Sequence, residues 1–176
     1  MVKQEIIASI AKNHKAFIKK ISDLSDTDFM KKPNGKWTAG QQLEHILKSV
    51  IVVSRAFEVP KSVLADKFGL SNKSSRDYKS IVNDYLITLE QNPNYKLEKR
   101  FSPEEVNLKE KNEKLIKLEN IACNLEKNIE NYSEDELDTY MLPHPVMGKF
   151  TLREVLYFTA YHVLHHDKQI LQNLNF

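Results

Sequence analysis

Three of the six histidines in this chain crowd a single turn, in the run Tyr161-His162-Val163-Leu164-His165-His166. His162 and His166 form an H-x-x-x-H pair. On an α-helix, residues four apart lie on one side, a turn from each other, and two imidazoles so placed can grip one divalent cation. The pair shares its face with Val155, Thr159 and Ile170, so that face is mainly apolar and should point inward. Burying two imidazoles is costly unless something satisfies their nitrogens. Metal coordination does so, and so does a hydrogen-bonded pair of core histidines; the spacing alone does not choose between them. The pair lacks the glutamate of H-E-x-x-H, which argues against zincin-type proteolysis. His165 also lies within reach of His162, but it sits about 100° around the helix from His166. The four-residue spacing follows the inward stripe better, which favours His162 and His166 and leaves His165 bordering the site or facing another helix.

A catalytic zinc site commonly takes three protein ligands and keeps one position open, so a third donor is wanted. His45, within Gln41-Gln42-Leu43-Glu44-His45-Ile46, sits at the edge of an apolar stripe and by itself reads as a boundary histidine. His14 falls inside an apolar stripe between Ile10 and Phe17 and reads as a buried histidine with one partner. His144 stands in a Pro-rich segment, either facing the mouth of the fold, where it would touch substrate, or as a plain loop residue. No general base stands out. Glu44 adjoins His45, but neighbours on a helix point in different directions.

The elements that must position these residues read as helices. Ile7, Ile10, Phe17, Ile21 and Leu24 mark a first helix from about Lys3 to Leu24, closed by a loop at Lys32-Pro33-Asn34-Gly35. A second opens at Thr38, with Gln41 completing a capping-box pattern, and carries Leu43, Leu47, Val50, Ser54 and Phe57 to a stop before Pro60. The polar run Ser71 to Ser75 precedes a shorter helix over about Arg76 to Gln91, which Asn92-Pro93-Asn94 breaks. Ser102, Pro103 and Glu105 fit the start of another long helix, whose face holds Leu108, Leu115, Leu118, Ala122, Leu125, Ile129 and Tyr132. Met141 to Gly148 is too rich in proline for helix. Thr151 and Glu154 cap a last helix running almost to Phe176. No strand alternation and no repeat is evident. The expectation is an all-α protein: one domain over residues 1–176, a four-helix bundle with one extra short helix.

Bulk composition agrees. The 176 residues are 41% hydrophobic and 28% charged, with a formal charge of +2 from 26 basic and 24 acidic side chains. Neither nucleic acid nor an anionic membrane is called for as a partner. The lone Cys123 excludes an internal disulfide and reads as a small buried residue of a helix. No apolar run approaches the roughly 18 residues of a membrane span, and the first residues form no signal sequence. A cytoplasmic protein is expected.

Three segments, in order, resemble the DinB/YfiT-like superfamily. Trp37-Thr38-x-x-Gln41-Gln42-Leu43-x-His45-Ile46 is similar to its second-helix motif. His144-Pro145-x-x-Gly148-x-x-Thr151-Leu152-x-Glu154 is similar to the lead-in to its last helix, and His162-x-x-His165-His166-x-x-Gln169-Ile170 to its metal-binding helix. The resemblance implies an up-and-down four-helix bundle of unusual connectivity. It implies a three-histidine site for a divalent ion such as zinc or nickel, with His45, His162 and His166 as ligands, His165 not among them, and water completing the sphere; His144 and His165 are then read as neighbours of the site or substrate contacts. Members include thiol-dependent transferases and isomerases that use bacillithiol or mycothiol, and proteins described as metal-dependent hydrolases. Some are dimers, which makes a homodimer an expectation.

The function expected is therefore that of a metal-dependent enzyme acting on a small molecule. It would activate either a low-molecular-weight thiol for S-transfer or a water for hydrolysis. The rival from another class is a non-enzymatic, stress-related helical binding protein with a structural metal, in which His14 or His144 would supply a fourth ligand.

Overall fold

The computed structural model describes residues 1–32 and 35–174. Pro33 and Asn34 of the expected loop, and Asn175 and Phe176, lie outside the described residues. In chain order the elements are α1 (Lys3–Asp23), α2 (Asp26–Met30), α3 (Ala39–Glu58), α4 (Lys61–Phe68), α5 (Tyr78–Gln91), α6 (Leu108–Ile129), α7 (Glu134–Thr139), β1 (Met141–His144), β2 (Gly148–Thr151) and α8 (Leu152–Leu174).

The four long helices α1, α3, α6 and α8 form the bundle. α1 packs on α6 and α8, and α3 packs on the same two. The successive long helices α1 and α3 therefore sit across the diagonal, as do α6 and α8. This arrangement sets α3 beside α8, which are far apart in sequence. Each helix buries the stripe its spacing dictates: Ile6, Ile10, His14, Phe17 and Ile21 on α1, and Leu115, Leu118, Ala122, Leu125 and Ile129 on α6. On α1 the buried register runs through Ile6 rather than Ile7, which is half-buried. α8 is different. Its residues Leu152 to Tyr157 are all buried, because α5, α7 and both strands also pack on it.

Thr38 caps α3 as its spacing predicts. Its hydroxyl accepts from the Gln41 N–H at 3.1 Å, and the Gln41 side chain accepts from the Thr38 N–H at 3.0 Å. Such caps contribute about 1 kcal/mol. Gly40, in the first turn, is required by a close approach: a Cβ there would lie 3.0 Å from the Phe29 ring and 3.1 Å from Val106 Cβ.

Several expectations are corrected. α6 starts at Leu108, capped by Asn107 and Glu110, not at Ser102. The preceding segment is pinned across α3 instead: Phe101 and Val106 are both buried, and Lys48 Nζ donates to the Ser102 carbonyl at 2.9 Å. The Pro-rich segment is a hairpin, with β1 antiparallel to β2 and Met141 opposite Thr151. Gly148 takes a positive φ of 77° at its turn, a region open to glycine. Four short helices, α2, α4, α5 and α7, stand where one was expected. Cys123 is exposed, one position around the helix from the buried Ala122. Among the described residues, no helix is long and apolar enough to cross a membrane.

Candidate metal centre

α3 and α8 meet at three histidines. Nε2 of His162 lies 3.2 Å from Nε2 of His45 and 3.0 Å from Nε2 of His166. Donors held about 2.0–2.1 Å from a tetrahedral zinc stand about 3.3 Å apart, so the observed spacing suits one ion. All three side chains are buried.

The protons decide what these nitrogens can do. His45 donates its Nδ1–H to the Phe101 carbonyl at 2.7 Å, and His166 donates its Nδ1–H to Gln42 Oε1. Each neutral ring then presents a lone pair at Nε2. His162 Nε2 carries at most one hydrogen and can bond only one of its two neighbours; at the other, lone pair faces lone pair. A cation at the centre relieves that repulsion. Gln42 is fixed in turn, because its Nε2 donates to Gln169 Oε1 at 3.1 Å. Gln169 Nε2 donates to His165 Nε2 at 2.8 Å.

The surroundings keep the rings neutral. Burial, and next the nearness of the other imidazoles, pushes His162 and His166 well below the usual histidine range. Burial also lowers His45; its bond to Phe101 opposes this and the Lys48 charge adds to it. Trp37 lies nearly parallel to the His166 ring, with centroids 6.0 Å apart. Phe158 stacks on His162 at 4.6 Å, and Tyr85 meets the same ring edge-on at 6.1 Å. A cavity of about 380 Å³ opens from His45 and His162. Its walls are mainly apolar, with Val53, Ala56, Leu64, Val155 and Phe158 among them. His166 is not part of the wall.

The model of the DinB superfamily matches residues 9–170 of this chain. The chain belongs to the DinB superfamily. Comparison with curated proteins finds no match.

The other histidines of this DinB protein lie apart from the three. His14 bonds its own helix, Nδ1–H to the Ile10 carbonyl at 2.9 Å. Its Nε2 is buried with no partner among the described residues, and it is not part of the three-histidine group. His144 lines the cavity and stacks on Phe150 at 5.0 Å. Burial lowers it to about 4, so it is neutral at pH 7. Its Nδ1 accepts from the Val146 N–H at 3.4 Å, which leaves Nε2–H as a donor. His165 is half-buried, with its ring 5.2 Å from that of His166 and 5.5 Å from that of Tyr85. His45 is fully within the core, not at its edge. Glu44 pairs with Lys114 at 2.8 Å and Lys48 at 3.5 Å and serves no role at the histidines.

Sequence spacing leaves five contributors unassigned: Trp37, Tyr85, the amides of Gln42 and Gln169 as ring-holders, and the Phe101 carbonyl. The amides carried a signal. Gln42 lies three residues before His45, and Gln169 four after His165, each one helical turn from an imidazole. The carbonyl carried none, since every residue has one.

Proposed function

We propose that this DinB protein is a divalent-metal-dependent enzyme that activates a thiol for transfer to an apolar electrophile. One observation carries the reading: three buried imidazoles bring their ring nitrogens to a common point at the inner end of an apolar cavity. His45, His162 and His166 would hold the ion, zinc or nickel by donor type. Such an ion is a Lewis acid that lowers the pKa of a thiol or a water beside it.

The chain's own residues set the conditions. The Phe101 carbonyl and Gln42 keep the protons of His45 and His166 on Nδ1. Tyr85 and Phe158 cover His162 and exclude bulk water, which strengthens the electrostatics within. His144 offers an Nε2–H to a substrate oxygen. The cavity wall carries no Asp or Glu among the described residues, so no carboxylate stands ready to take a proton from an attacking water. A thiol beside a bound cation would ionise the more readily of the two, its free pKa being about 8.5 against about 15.7 for water, and its proton would leave to solvent. That difference favours S-transfer over hydrolysis. The low-molecular-weight thiol is a second substrate in this reading.

Metal content and turnover test it together. Wild-type protein loaded with zinc or nickel should retain one ion per chain through gel filtration, and His45→Ala and His166→Ala should lose it. Reaction with 1-chloro-2,4-dinitrobenzene should require an added thiol such as 2-mercaptoethanol and stop on chelation. Unchanged metal content in both variants sinks the site. Equal product with and without thiol sinks the transfer chemistry.

A further inference from the structure

The cavity is charged in one sense only. Its wall contains Arg55, Lys67 and Arg100, all exposed, and no acidic residue, in a chain whose charges nearly balance. His45 and His162 in the same wall are buried while the three cations are exposed, so the cations mark the mouth. Arg100 is already paired, its Nε 2.9 Å from Glu98. Arg55 and Lys67 have no carboxylate partner among the described residues. The nearest acidic residue one turn on from Arg55, Glu58, is engaged elsewhere, accepting from Asn124 at 2.6 Å.

The mouth is apolar as well as cationic. Val52, Val63 and Tyr95 all line it and remain 36%, 45% and 38% exposed. These residues come from the last turns of α3, from α4 and from the segment before α6. A volume of about 380 Å³ lies within the range of about 300–1,000 Å³ usual for small-molecule pockets.

We infer that the cavity takes an amphipathic organic anion with an apolar body of about that size. Its anionic group sits between Arg55 and Lys67 at the mouth, and its other end reaches His45 and His162. The inference rests on the proposed metal site only for which end reacts; the binding itself does not need the ion.

Isothermal titration of chelator-treated protein at neutral pH tests it, with octanoate, 1-octanol and octyltrimethylammonium as probes. Octanoate should bind about fivefold more tightly than octanol, the size expected of two exposed charge contacts, and the ammonium should bind weakest. The double variant Arg55→Gln/Lys67→Gln should lose the octanoate advantage and leave octanol unchanged. Ala56→Trp, which fills the cavity, should abolish both while the melting temperature reports that the bundle persists. Equal binding of octanoate and octanol, an advantage that survives the double variant, or no binding of any probe overturns the proposal. Octanoate that binds only after zinc is added, indifferent to Arg55 and Lys67, places the carboxylate at the histidines and overturns the orientation. Zinc retention, measured on separate aliquots of the same protein after reloading with zinc and gel filtration, separates the two readings: octanoate binding without zinc retention refutes the metal site alone, and the converse refutes the anion site alone.

Discussion

Replacing Gln42 with leucine should cost this protein much of its hold on a metal, although Gln42 is no ligand. The side chain is 2% exposed and makes two hydrogen bonds, one to His166 and one to Gln169. Leucine fills nearly the same space and makes neither. His166 then has two courses. It can keep its proton on a buried, unpartnered Nδ1, at about 1–3 kcal/mol. Or it can move the proton to Nε2, which removes a lone pair from the donor set. Loss of such a supporting contact typically lowers metal affinity about 10–100-fold, or about 1.4–2.8 kcal/mol. Competition against a chromogenic chelator measures the affinity, and urea unfolding of the metal-free form measures the stability, which should fall by about 1–3 kcal/mol. Gln42→Glu keeps an acceptor for His166 and should hold zinc at least as well as wild type. If the leucine variant remains helical and binds zinc as tightly as wild type, or if the two variants bind alike, proton placement by Gln42 is not what organises the site.

Two further outcomes follow from other parts of the fold. Gly40→Ala should lower the melting temperature by circular dichroism: the new methyl meets Phe29 and Val106, which are 0% and 3% exposed and have no room to move, and overpacking of about 1–3 kcal/mol outweighs the gain of up to about 1 kcal/mol in helix propensity. His144 should make the metal-free protein sensitive to acid. Its folded-state value of about 4 lies below the ordinary 6.5, so between these values the unfolded chain takes up the proton first, and stability is complete above 6.5 and falls as the pH drops towards 4. The contribution is about 3 kcal/mol; His144→Phe should flatten the stability–pH curve by that amount in urea unfolding, and parallel curves for the two proteins would count against it.

The bundle was legible because its signals are periodic and local. The Thr38–Gln41 cap and the stripes of α1, α3, α6 and α8 each lie within a few turns, and the spacing of His162 and His166 is itself a helical repeat. What spacing missed depends on partners from elsewhere in the chain. Ser102, Pro103 and Glu105 form as good a start signal as Asn107 and Glu110, but Phe101 and Val106 have to reach the core over α3, and that need settles where α6 begins. The hairpin strands are four residues long, too short for alternation to show, and Pro143 within β1 argues against a strand except in a narrow ribbon with open edges. His45 reads as peripheral in the sequence because the spacing marks one apolar face on α3; docking against α8 buries a second. Cys123 was placed inside by its type, whereas its angle on α6 places it outside.

The diagonal wiring of the bundle has a bearing on how the centre would be filled and kept. His45 and His162 are separated by 117 positions in the chain, while His162 and His166 are on the same helix. An ion meeting the unfolded chain would find at most the pair on α8, and the third nitrogen arrives only once α3 has docked. Closing a loop of that length costs about 4 kcal/mol in chain entropy, and an ion bound to all three rings resists its reopening. Retention of the ion then becomes a gauge of the α3–α8 seam. A variant that loosens this seam, even at a position remote from the histidines, should release metal faster long before its helices melt.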